Sequence, residues 1–117
     1  MCIRDSLLTA LLLDHLREPA RIVNVSSIGQ AALDFDDVML QRGYDAYGAY
    51  VQSKLAQVLF TVELADRLSD REITVNALHP ATLMDTKMVR ETFGRSQSTV
   101  EEAVSYTHLT LPTIYSV

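Results

Sequence analysis

Arg21-Ile22-Val23-Asn24-Val25-Ser26-Ser27 and Ile73-Thr74-Val75-Asn76-Ala77-Leu78-His79-Pro80 are the two stretches that decide the fold. Each is a short run rich in β-branched residues, closed by polar or turn residues. Such nearly continuous apolar runs suit strands buried on both faces of a parallel sheet. Residues 49–68 lie between them and repeat apolar side chains at Val51, Leu55, Val58, Val62 and Ala65. Leu59 and Phe60 widen that stripe, which predicts an amphipathic helix. Strand, helix, strand is a βαβ unit, and such units build a parallel sheet covered by helices. The fold class expected is therefore α/β with a doubly wound parallel sheet.

Residues 7–16, before the first of these strands, are rich in leucine and read as the tail of a helix, ended by Arg17-Glu18-Pro19. Residues 28–48 have no sustained period and carry Gly29, Gly43 and Gly48 with Asp34, Asp36 and Asp37. They read as a long loop with at most one short helical turn, and loops of that length in compact domains tend to be functional. Asp70 and Arg71 connect helix to strand, residues 87–93 read as a helix, and residues 94–103 are polar and unassigned. Two strands alone are too few for a sheet covered on both faces.

The ends of the chain carry an unusual relation. Met1-Cys2-Ile3-Arg4-Asp5 can be written ATG TGT ATA AGA GAC. The reverse complement, GTC TCT TAT ACA CAT, encodes Val104-Ser105-Tyr106-Thr107-His108 in frame. A folded protein has no need of that relation, and it resembles a transposase adapter of sequencing libraries read as coding sequence. The expected organisation is thus 1–6 adapter, 7–103 the biological segment, and 104–117 adapter again. Cys2, Tyr106, His108 and Tyr115 then carry no functional information.

A net charge of −5 argues against nucleic acid and anionic membrane surfaces as partners. No apolar run reaches membrane-spanning length, and a cytoplasmic location is the accompanying expectation. The three aspartates of the long loop are not joined by other ligand types, so no metal site is expected.

Tyr50 and Lys54 are four residues apart in the helix, so they share one face about one turn apart. A cation beside a phenol favours the phenolate, which brings a tyrosine's proton exchange nearer neutral pH. With five tyrosines, a chance Tyr-x-x-x-Lys has odds of roughly one in ten, so the pair gains its weight from context. Ser26-Ser27 ends the preceding strand at a carboxyl edge, where open α/β sheets bind ligands. A hydroxyl there can donate to an oxygen on which charge develops. In isolation a Ser-Ser pair is more often a cap or turn. His79-Pro80-Ala81-Thr82 ends the next strand, at the same edge.

Val23-Asn24-Val25-Ser26-Ser27, Ala49-Tyr50-Val51-Gln52-Ser53-Lys54-Leu55-Ala56 and Thr74-Val75-Asn76-Ala77-Leu78-His79-Pro80 together resemble the second half of a short-chain dehydrogenase/reductase. All three blocks stand in the family's order. The long spacer with Phe35-Asp36-Asp37 resembles the retinol-dehydrogenase and protochlorophyllide-reductase-like members. The resemblance implies a Rossmann-like fold, NAD or NADP as cofactor, and a carbonyl or alcohol as the small-molecule substrate. It implies that Ser27, Tyr50 and Lys54 are catalytic and that Tyr50 and Lys54 also hold the nicotinamide ribose. It places Pro80 and Ala81 beside the nicotinamide, with Thr86 near the cofactor phosphates. The stretch from Pro80 is one residue longer than the commonest pattern, which leaves Thr82 as the alternative to Thr86. Ala81 stands where the family usually has glycine, so its backbone should not need a positive φ. The resemblance further implies a homodimer or homotetramer, joined through residues 49–68 and the helix ending at Leu16. The phosphate-binding loop and the residue choosing NAD or NADP would lie before Leu7.

Two rival readings remain at this point. A sugar-nucleotide epimerase or dehydratase shares the tyrosine–lysine pair and would carry a substrate-binding extension after Ala103. A non-catalytic cofactor-binding protein would be expected to have lost at least one of Ser27, Tyr50 and Lys54.

Overall fold

The structure is a computed structural model and describes residues 4–109. The readings at Cys2 and along residues 110–117 lie outside the described residues. A π-helical turn at Arg4–Leu8 leads into a single α-helical turn, α1 (Thr9–Leu12), and a 3-10 turn at Leu13–His15. Strand β1 (Ala20–Val25) follows, then a long irregular segment, helix α2 (Ala46–Arg67), strand β2 (Ile73–Leu78), α3 (Lys87–Phe93) and α4 (Val100–Leu109).

The strands pair in parallel, in register from Ala20↔Ile73 to Val25↔Leu78. Both therefore end at one edge, and Ser26 continues the ladder by donating its N–H to the Leu78 carbonyl at 2.8 Å. At the opposite edge Glu18 clamps the entry to both strands. Its carboxylate pairs with Arg71 Nε at 2.7 Å and accepts from the Glu72 N–H at 3.0 Å. The Arg71 hydrogen bond, aided by the Glu72 N–H, holds the Glu18 carboxyl below its ordinary value.

Helix α2 lies over one face of this pair. Leu68, Ile73 and Val75 form the buried cluster, flanked by Leu13, Leu16, Ala20, Ile22, Leu64 and Ala65. The expectation of strands buried on both faces is corrected for β1. Its residues alternate, and Val23 and Val25 remain 37% and 53% exposed. The reason is that α2 covers the Ala20, Ile22, Asn24 side, and nothing among the described residues covers the other. An apolar run of this kind suits two covered faces, and the described residues cover one. Likewise the expected helical tail over residues 7–16 is a π turn, one α turn and a 3-10 turn, with Leu7, Leu8, Leu11 and Leu12 exposed. Without a surface to pack on, a leucine-rich stretch has little to hold it in one regular helix.

Helix α2 starts three residues before its expected beginning because Asp45 caps it. Asp45 is extended (φ −129°, ψ 141°) and its Oδ1 accepts from the Gly48 N–H at 2.9 Å. Gly48 is bound to this cap, since a β-carbon there would lie 2.2 Å from Asp45 Oδ2. Two effects then oppose each other. Alanine is favoured over glycine in a helix by about 1 kcal/mol, and losing an Asp cap costs about the same. Gly48→Ala alone is thus expected to leave stability within about 0.5 kcal/mol of wild type. In an Asp45→Ala background the same change should stabilise by up to about 1 kcal/mol. Equal effects in the two backgrounds, by denaturant unfolding of an intact protein carrying this segment, would contradict the coupling.

Helix α4 begins in the stretch left unassigned by sequence and runs on from Ala103 into the residues read as adapter. Thr99 Oγ1 accepts from the Glu102 N–H at 3.1 Å and Glu102 Oε2 accepts from the Thr99 N–H at 2.8 Å. That reciprocal capping box was present in the sequence as Thr-x-x-Glu. No helix among the described residues is long and apolar enough to cross a membrane.

Candidate active site

The end of β1 and the first half of α2 are tied by hydrogen bonds. Ser26, which is buried, donates from Oγ to the Lys54 carbonyl at 2.9 Å. Lys54 returns the tie by donating from Nζ to the Val25 carbonyl at 3.1 Å. Deeper in, Asn24 Nδ2 donates to Thr61 Oγ1 at 2.8 Å, and Thr61 donates to the Gln57 carbonyl at 2.8 Å. Asn24, Ser26, Gln57 and Thr61 are all buried, and no buried side-chain polar atom among the described residues lacks a partner. Satisfied polar groups of this kind fix one geometry, because any other leaves a donor or acceptor unpaired.

The two serines have different jobs. Ser26 is consumed by the tie to α2. Ser27 Oγ accepts from the Gly29 N–H at 3.1 Å, which leaves its own O–H to donate elsewhere. Gly29 sits between Ser27 and Tyr50. A β-carbon on it would lie 3.6 Å from Ser27 Oγ and 3.9 Å from Tyr50 Cε1, so the serine hydroxyl and the phenol ring flank the same glycine. Lys54 Nζ stands 5.7 Å from the centre of the Tyr50 ring. Ser27, Tyr50 and Lys54 are thus brought together at the carboxyl edge of β1.

The residues after β2 emerge at the same edge but are engaged differently. Thr82 Oγ1 lies 3.3 Å from His79 Nε2. His79 is exposed, yet the part of its ring against the protein loses water, which lowers its pKa from the ordinary 6.5. Thr86 caps α3, its Oγ1 accepting from the Val89 N–H at 3.3 Å, so only its O–H remains to give. Leu40 and Leu83, and not Ala81, are the described non-glycine residues with positive φ, at 53° and 45°. Tyr47 meets Phe93 edge-to-face at 6.4 Å, which joins the start of α2 to α3. The loop acids serve the backbone. Asp34 accepts from the Asp36 N–H and Asp37 from the N–H groups of Gln41 and Arg42, while Gln52 Oε1 accepts from the Asp34 N–H. No group of three His, Cys, Asp or Glu among the described residues could hold a metal ion.

Residues 6–97 match the profile of the short chain dehydrogenase family. The chain belongs to that family. Among its relatives this short chain dehydrogenase is 56% identical over 79 residues to human retinol dehydrogenase 13, covering 63% of this chain and 24% of the relative. It is 45% identical over 91 residues to bovine retinol dehydrogenase 12, covering 74% of this chain and 28% of the relative. These place it in the retinol-dehydrogenase-like subgroup. A crystal structure of an uncharacterized protein from Mycobacterium paratuberculosis superposes with a TM-score of 0.58 at 38% identity. It covers 63% of this chain and 29% of the solved one. The fold is therefore α/β and Rossmann-like, and the chain spans about a quarter of the length of the curated relatives it matches.

The sequence reading missed Asn24, Gln57 and Thr61. The signal was there, since Tyr50, Lys54, Gln57 and Thr61 repeat at four, three and four residues along one face of α2. It was obscured because polar residues in an amphipathic pattern read as its solvent side.

Proposed function

We propose that the protein carrying this segment is an NAD(P)-dependent oxidoreductase that interconverts a carbonyl and an alcohol. The observation that carries the reading is the grouping of Ser27 Oγ and the Tyr50 ring around Gly29, with the Lys54 ammonium 5.7 Å from that ring. Three groups able to donate to, orient and polarise one oxygen meet at the ligand-binding edge of the sheet.

The hydrogen-bond balance of Lys54 fits a dinucleotide. Its ammonium has three protons, and the Val25 carbonyl and Gln57 Oε1 accept two of them. The third is available to a ribose hydroxyl, and Tyr50 offers a second polar partner. Pro80, Ala81 and either Thr82 or Thr86 would complete the cofactor side at the end of β2.

When bound, the nicotinamide supplies or receives the hydride. For carbonyl reduction, the Tyr50 hydroxyl gives its proton to the substrate oxygen as that oxygen gains charge, and Ser27 donates a hydrogen bond to the same atom. In the alcohol direction Tyr50 receives the proton. In both directions the Lys54 ammonium stands 5.7 Å from the centre of the Tyr50 ring, a positive charge beside the group that gives or takes the proton.

Lys54→Met tests the dual role. In an intact enzyme carrying this segment, turnover of a carbonyl panel should fall by about 10²-fold or more. Dinucleotide affinity, read from NADH and NADPH fluorescence, should weaken roughly tenfold. Loss of turnover with unchanged affinity would remove the ribose role, and turnover of no carbonyl or alcohol by the unaltered enzyme would refute the function.

A further inference from the structure

We propose that Gln57 is a positioning residue for Lys54, holding the ammonium in the place from which it serves both the ribose and Tyr50. The inference rests on the reading of Lys54 given above and extends it to a residue outside the catalytic group. Tyr50, Lys54, Gln57 and Thr61 form a polar stripe along α2, and the structure carries that stripe from the site into the interior. Gln57 Oε1 accepts from Lys54 Nζ at 3.0 Å, its carbonyl accepts from Thr61 Oγ1, and Thr61 is held by Asn24 of β1.

Gln57 is only 7% exposed on a helix face where an apolar residue would be cheaper to bury. Its amide is not idle, because both ends have partners. The nitrogen donates to Asp5 Oδ2 at 2.5 Å. The Lys54 end does not depend on what residue 5 is. An ammonium only donates, so the amide must turn its oxygen, not its nitrogen, toward it.

A lysine has four rotatable bonds, and an ammonium on such a stem moves unless several acceptors fix it. Here the Val25 carbonyl and Gln57 Oε1 approach from the strand and from one turn down the helix. Two fixed acceptors leave one direction for the third proton. Gln57 touches neither substrate nor cofactor in this scheme and acts only through Lys54.

The test uses an intact enzyme carrying this segment, with dinucleotide affinity measured by NADH and NADPH fluorescence beside kcat and the carbonyl KM. Gln57→Met keeps length and volume and removes the acceptor. It should weaken dinucleotide binding and lower kcat, each roughly tenfold, with the carbonyl KM unchanged. Gln57→Glu returns an acceptor at the same reach and should recover most of both losses. Should the methionine variant not melt cooperatively, Gln57→Asn carries the test, since it keeps the amide but withdraws it by one methylene. Unchanged dinucleotide affinity in a variant that melts as wild type would overturn the proposal. So would a glutamate variant as impaired as the methionine one, or a loss confined to the carbonyl KM. Wild type that binds neither dinucleotide would overturn this inference and the proposed function together. Wild type that binds a dinucleotide but turns over no substrate would refute the function alone and leave the affinity comparison to judge Gln57.

Discussion

Tyr50→Phe in the intact enzyme is expected to lower turnover by about 10²- to 10⁴-fold while leaving dinucleotide affinity within a few-fold of wild type. The change removes one hydroxyl and almost no volume. Phenylalanine keeps the ring that stands beside Gly29, and the ties between Ser26, Lys54 and Val25 do not involve the phenol oxygen. Structure should therefore survive, and the lost quantity is a proton placed at the substrate oxygen. Ser27 cannot replace it, because a serine hydroxyl gives up its proton far less readily than a phenol. The measurement is single-turnover reduction of a carbonyl at saturating dinucleotide. Full activity in the phenylalanine variant would remove Tyr50 from the chemistry, and an equal loss in Tyr47→Phe would show a general response to the start of α2.

The second large effect concerns the 117-residue chain expressed by itself. It is expected to be insoluble or to melt without cooperativity, and to bind neither NADH nor NADPH measurably. The apolar residues buried among those described are Val51, Leu68, Ile73, Val75, Val89 and Ala103, and no described side chain is fully buried. Only Leu68, Ile73 and Val75 form a common cluster. Ordering each residue costs about 1–2 kcal/mol, which such a core cannot offset over a chain of this length. Val23 and Val25 on the open face of β1, and the exposed Leu7, Leu8, Leu11 and Leu12, present apolar surface that favours association instead. Differential scanning calorimetry with and without dinucleotide decides it. A sharp transition that rises on adding NADPH or NADH would show that two strands and α2 suffice.

The parts legible in the sequence were those whose cause is local. β2 and α3 have the bounds their patterns implied, since a β-branched run stopped by His79-Pro80 and a helix stopped by Gly94 in the left-handed region (φ 67°) need no distant partner. That Tyr50 and Lys54 share a helix face and that the Ser26-Ser27 pair ends a strand was legible because helix spacing and a strand end fix where they stand, while the choice of Ser27 came from the resemblance. What was misread depended on contacts across the chain. Burial of β1 needs a cover that a run of valines cannot specify. The early start of α2 needed Asp45 to be seen as a cap and Gly48 as its third helical residue, not as loop. Asn24, Gln57 and Thr61 became meaningful only when the strand and helix were laid side by side.

The parallel register of β1 and β2 sets the order of events during synthesis. Ala20 pairs with Ile73, so the ladder cannot begin until about fifty further residues have been made. At roughly 5–20 residues per second, β1 waits seconds for its neighbour. Closing a loop of that size is entropically expensive and is repaid only afterwards, which makes the pairing a slow, late event compared with the winding of α2. All the residues of the helix are made before those of the second strand. Wherever its turns wind early, Lys54, Gln57 and Thr61 come to lie along one face three and four residues apart, at the spacing that meets the strand when the sheet closes.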